Sequence, residues 1–157
     1  GTTMSTYNAQ NIGARQLDRV RKGFRSADVI GCIYAVAVGF ILFFAGKYFA
    51  YLFISDNAET VIPMVDIYLQ CVGMFMIPLY VVNCYRNGFQ GMGYGLLPML
   101  SGVAELIGRG VMAVVAAHEK SYRMACMASP FAWIVATALL FVLYFYVMKD
   151  MKKKLCL

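Results

Sequence analysis

Four long stretches of this chain carry almost no charge, and short polar stretches separate them. Val29 to Gly46 and Ile67 to Tyr85 hold no Asp, Glu, Lys or Arg, and Met124 to Met148 runs for 25 residues without one. Leu96 to Ala117 is interrupted only by Glu105 and Arg109. A helix that crosses a bilayer needs about 20 apolar residues, with roughly 17–25 the working range. These runs are continuous rather than spaced for one buried face, and a transmembrane β-barrel would show shorter alternating segments. The pattern predicts an all-α integral membrane protein with four transmembrane helices, at about 29–54, 61–85, 96–117 and 124–148. The loops between them are short, which pairs the spans as two antiparallel hairpins. Residues 1–27 precede this four-helix region (28–148), and residues 149–157 form a basic tail.

Local signals place the boundaries. "KYFAYLFI" at the end of the first span is aromatic, as membrane interfaces prefer. In "SDNAET", Ser55, Asp56 and Asn57 are capping types and Pro63 follows in the first helical turn. Pro78 lies well inside the second span; it removes the amide that would bond the Met74 carbonyl, so a kink is expected there. "RNGFQGMGYG", Arg86 to Gly95, reads as a tight glycine-rich connector, and "HEKSYR" as a polar loop. The stretch "ARQLDRVRKGFRSA" is basic with Leu17, Val20 and Phe24 at helical spacing, which predicts a cytoplasmic interfacial helix leading into the first span.

Composition agrees with the pattern: 61% of residues are hydrophobic and mean hydropathy is +0.66, where ordinary soluble domains are about 45–50% apolar. The net charge of +6 does not point to nucleic acid, because the cations flank the spans. Arg15, Arg19, Arg21, Lys22, Arg25, Arg86, Lys149, Lys152, Lys153 and Lys154 fall on one side, against Lys47, Lys120 and Arg123 on the other. Positive residues mark the cytoplasmic side, so both ends of the segment are expected there, in a plasma membrane such as the bacterial inner membrane. The N-terminal stretch has no basic region ahead of an apolar core and is not expected to be a cleavable signal peptide. Cys32, Cys71, Cys84, Cys126 and Cys156 show no C-x-x-C spacing and read as small hydrophobes. "HEKSY" lacks the second His of a metalloprotease helix, and "GFQGMGYG" is not followed by Lys-Ser/Thr. Neither an enzyme nor a bound metal or cofactor is expected.

The charges inside the third run are the candidate chemistry. On a helical wheel Pro98, Gly102, Glu105, Arg109, Met112, Ala113 and Ala116 share one face, and Leu96, Val103, Ile107 and Val114 the opposite one. The charged, small-residue face is expected to point into the bundle and the bulky face to meet lipid. Glu105 and Arg109 are i, i+4 partners with the acid first, the favoured order. An isolated charge at such depth costs about 2.5–3.5 kcal/mol on insertion scales, and pairing offsets most of that. The pair serves either as a structural ion pair that stitches helices together or as an element of a solute or proton pathway. Asn83 and Tyr80 on the second span are further pathway candidates; Gln70 is also polar, and Asp66 reads as a hydrated interfacial residue.

Three stretches resemble one family, the multidrug and toxic compound extrusion (MATE) transporters. "TYNAQNIGARQLDRVRKG", Thr6 to Gly23, resembles the cytoplasmic loop joining the family's eighth and ninth helices; "NGFQGMGYGLLPMLSG", Asn87 to Gly102, resembles its loop into the eleventh; and "ELIGR", Glu105 to Arg109, resembles the acid-and-arginine pair often seen in that helix. The resemblance implies that this chain is a C-terminal fragment: the end of helix eight at Gly1 to Thr6 and helices nine to twelve of a twelve-helix, two-lobe protein. It implies alternating access and export of cationic or amphipathic small molecules driven by Na⁺ or H⁺, with lipid and the remaining eight helices as partners. Some branches carry a carboxylate midway along the tenth helix; the corresponding "MFMIPLYVVN" has none, so no site for the coupling ion is assigned. Two alternatives stand beside this reading. One is a flippase for lipid-linked sugars, which shares the fold and is expected to show more basic cavity residues than Arg109 alone. The other is a small four-helix membrane protein that oligomerises without transporting anything.

Overall fold

The computed structural model describes residues 1–54 and 58–155. Among these it is helical throughout, with no strand: α1 (Thr2–Gly13), α2 (Leu17–Tyr51), α3 (Ala58–Met74), α4 (Met76–Gly91), α5 (Leu96–Glu119), α6 (Tyr122–Cys126) and α7 (Ala128–Lys154). Helices α2 and α5 and the α6–α7 run are long and apolar enough to cross a membrane, and α3 with α4, bent by 56° between them, brings the number of crossings to four when the pair is taken as one span. The expected capping by Ser55, Asp56 and Asn57 lies outside the described residues, as does Cys156.

The two expected hairpins are present, α2 against α3 and α5 against α7, with α4 at the centre touching α1, α2, α5 and α7. Four boundaries differ from the sequence expectation. The basic stretch is not a separate interfacial helix: α2 is continuous over 35 residues, about 52 Å at 1.5 Å per residue, well beyond the roughly 30 Å hydrocarbon core. Nor does its apolar face lie on lipid. Leu17, Val20 and Phe24 are buried in the main core with Val81, Val82, Tyr85, Phe89, Leu140 and Met148. The stripe has protein partners, which a single-segment wheel does not reveal. Most of the stretch read as the loop Thr6 to Gly23 is helical, with Arg15 in a left-handed turn (φ 55°) between α1 and α2.

The second crossing breaks at Phe75, just ahead of Pro78. There the Phe75 amide bonds the Val72 carbonyl in a tightened turn, and the Leu79 amide reaches the Phe75 carbonyl only at 3.4 Å. Pro78 supplies the reason, having no N–H to bond Met74; its own carbonyl accepts from the Thr137 hydroxyl of α7 at 3.2 Å. Past the break, α4 continues to Gly91, so Arg86 is helical and the connector shrinks to Met92–Gly95. Only Gly93 in it needs positive φ (87°). Likewise α7 carries Lys149 to Lys154 as its last turns, so the basic tail is largely helical.

Helices α2 and α3 meet through small residues. Gly31, Ala35, Gly39, Gly46 and Ala50 form the buried side of α2 in its membrane part. A side chain at Gly39 would run into the Gly73 carbonyl of α3, so the backbones approach as closely as in small-xxx-small contacts.

Candidate functional site

Glu105 is buried on α5 at 9% exposure and holds two arginines, one on each carboxylate oxygen. Arg109, one turn on, donates from Nη2 to Oε2 at 3.1 Å. Arg86 on α4 donates from Nη2 to Oε1 at 2.5 Å. The Arg86 Nε also donates to the Ser101 hydroxyl at 3.0 Å, and that hydroxyl donates to the Pro98 carbonyl at 2.7 Å. Ser101 is fully buried. Arg86 therefore spans two groups one turn apart on α5, which its rigid planar fork of donors suits and a lysine would not.

The local reasons are helical spacing and chain reversal. Ser101 and Glu105 are i, i+4, so they share a face of α5. The connector Met92–Gly95 folds α5 back alongside α4, and Arg86 sits about one turn before α4 ends. Glu105 lies nine residues into α5, about 14 Å from its start. Two guanidinium groups on one carboxylate leave the cluster with one net positive charge. Arg109 is its open edge, with a side chain 47% exposed against 29% for Arg86.

The buried face of α5 is turned from the expected one. Pro98, Ser101, Glu105, Gly108 and Ala116 are buried, and Gly108 packs on the backbone of Ala132 in α7. Gly102 has open space around it, and Arg109 and Ala113 are exposed. Leu96, Val103, Ile107 and Val114 are exposed as the wheel requires.

The other candidates do not join this cluster. The Tyr80 hydroxyl donates to the Ala27 carbonyl at 2.5 Å, tying α4 to α2. Asn83 is exposed and donates along its own helix to the Leu79 carbonyl at 2.9 Å. Pro78 positions α4 by the break. Asp66 accepts from Gln70 at 3.0 Å on α3. Arg86 and Ser101 are the residues that sequence reasoning missed. The available signal was the continuation of apolar spacing through Val82, Tyr85 and Phe89, which makes residue 86 helical. Among the described residues no group of three His, Cys, Asp or Glu is placed to hold a metal.

Buried small-residue helix contacts, up to four crossings and a paired charge cluster between two of them define a multi-pass helical membrane protein. The family model MatE matches residues 1–115, from α1 through most of α5, and the chain belongs to that family of membrane transporters, which is not a family of enzymes. Neither a curated protein nor a solved structure matches the chain.

Proposed function

We propose that this chain is the C-terminal part of a cation-coupled secondary transporter that exports cationic or amphipathic compounds by alternating access, with the chain ends cytoplasmic in a plasma membrane. Family membership supports the transporter class. The observation that carries the reading further is the Arg86–Glu105–Arg109 cluster, which ties α4 to α5 below the break at Phe75. On this reading α4 and α5 move as one unit, held by charge-assisted bonds that strengthen in low dielectric. The break lets α3 change angle against that unit, as discontinuous helices do in transporters. Glu105 and Arg109 then act first as the stitch, and the open edge at Arg109 faces the solute path. Na⁺ or H⁺ is the coupling ion, bound elsewhere in the complete protein.

The second reading, a flippase for lipid-linked sugars, is favoured by one observation. The cluster holds Arg86 as well as Arg109, and its net charge is positive. The test is an accumulation assay on the complete transporter in cells. Ethidium export that Arg109→Gln abolishes at matched folded protein, with lipid-linked sugar pools unchanged, supports the exporter. Changed sugar pools with no ethidium export would move the assignment to the flippase.

A further inference from the structure

Where α5 begins and α7 ends, the two helices leave a groove of about 640 Å³ between them, lined by Tyr94, Leu96, Met99, Tyr146, Asp150 and Lys154 among others. A smaller recess continues it around α7 to Lys149 and Lys153. The groove has two chemically distinct halves. Toward the membrane it is apolar and open: Leu96 is 76% exposed, Met99 67% and Tyr146 59%, and Val142, one turn below Tyr146, is exposed as well. At its outer end the single acid is already occupied. Asp150 accepts from the Tyr94 hydroxyl and pairs with Lys154 at 2.8 Å, and that ammonium also sits 4.9 Å from the Tyr94 ring. Lys149 and Lys153, one turn apart on the same face of α7, are exposed and form no ion pair among the described residues.

We propose that this groove seats an anionic phospholipid, its phosphate held between Lys149 and Lys153 and an acyl chain lying along Leu96, Met99, Val142 and Tyr146. Charge complementarity selects the headgroup, because two uncommitted ammonium groups flank an acid that is already neutralised. The apolar wall selects a lipid over a soluble anion. It runs along the flank of two helices long and apolar enough to cross a membrane, and a free phosphate gains nothing from that wall. Distance fits too: Lys149 and Lys153 lie three and seven residues beyond Tyr146, about 4.5 and 10 Å along the helix, which brackets the roughly 5–8 Å depth of the headgroup layer. Lysine stems reach that level readily while their ammonium groups stay in the headgroup layer.

The test is electron spin resonance on the membrane-embedded protein reconstituted in phosphatidylcholine, with spin-labelled phosphatidylglycerol or spin-labelled phosphatidylcholine as the probe. The wild type is expected to immobilise the phosphatidylglycerol probe in preference. The double variant Lys149→Gln/Lys153→Gln should lose at least about fivefold of that preference, by the usual effect of removing membrane-facing cations. Lys47→Gln/Lys120→Gln, with the same loss of charge elsewhere, should retain it. All four lysines are exposed, so neither double variant disturbs a packed core. An unchanged preference in the first variant, or an equal loss in both, overturns the site. So does full displacement of the phosphatidylglycerol probe by soluble glycerol phosphate, since the apolar wall would then contribute nothing.

Discussion

At the scale of single residues, the charge inside α5 is explained by a three-body arrangement. Glu105 has both oxygens committed, to Arg86 across the helix contact and to Arg109 along its own helix. The two partners are not equivalent. Arg86 is less exposed, its bond is shorter, and it also holds Ser101; Arg109 is half in the open, where an i, i+4 pair contributes only about 0.3–0.5 kcal/mol. Breaking a buried pair by removing one partner costs more, about 3–5 kcal/mol, because a charge is left without compensation. We therefore expect Arg86→Gln to lower the folded yield strongly and Arg109→Gln weakly. Glu105→Gln should be rescued in part by Arg86→Gln and little by Arg109→Gln. Fluorescence-detected size-exclusion chromatography of the three single and two double variants in detergent measures this; equal losses for the two arginine single variants would refute the ranking. The sequence pointed to Glu105 and Arg109 through their spacing. It did not disclose Arg86, because the partner of a charge is chosen by which helix folds alongside, and Arg86 stands at the end of its apolar run like an ordinary flanking cation.

At the scale of elements, two helix contacts rest on different physics. The α2–α3 contact is a close backbone approach through Gly39 and Gly73, with nothing to relax if a side chain is added. The α5 residue that looks similar, Gly102, faces open space. Gly39→Val is thus expected to splay the α2–α3 hairpin and to destabilise the protein by about 1–3 kcal/mol or more, as overpacking does. Gly102→Ala should be neutral or stabilise by up to about 1 kcal/mol, because the added methyl meets nothing and alanine is the better helix former. Thermal melts of the two purified variants compare them, and equal melting temperatures would contradict the assigned packing. The break at Phe75 belongs to this scale as well. Pro78 made a distortion legible in the sequence, but the extent of 56° depends on what α3 and α4 pack against, namely α2 and α7.

At the scale of the whole molecule, the extended end of α2, the connector Met92–Gly95 and the end of α7 are gathered together. Phe24 touches Tyr85, Phe89 and Tyr144, and Tyr94 reaches Asp150. That end carries the ten flanking cations counted above, except that Arg86 is drawn inward to Glu105, and Lys120 and Arg123 lie at the opposite turn. With the cationic end cytoplasmic, a cysteine at Lys153 should resist a membrane-impermeant maleimide in intact cells, and one at Lys120 should react. The reverse result would invert the orientation.

The sequence by itself determined the class of protein, an all-helical membrane protein with up to four crossings, because the cost of exposing polar groups to hydrocarbon acts on each segment independently and leaves its mark in uninterrupted apolar runs. It also determined the exposed bulky residues of α5, Leu96, Val103, Ile107 and Val114, since a helix has one periodicity and one bulky face. Tertiary structure alone decided three things: that Leu17, Val20 and Phe24 pack on α4 and α7 rather than on a membrane surface, that α5 buries Gly108 rather than Gly102, and that Arg86 completes the Glu105 cluster. Each is a matter of which neighbour a face meets. Apolar surface is satisfied equally by lipid or by protein, and a carboxylate by any cation within reach, so spacing along one helix is silent about the partner until the helices are placed side by side.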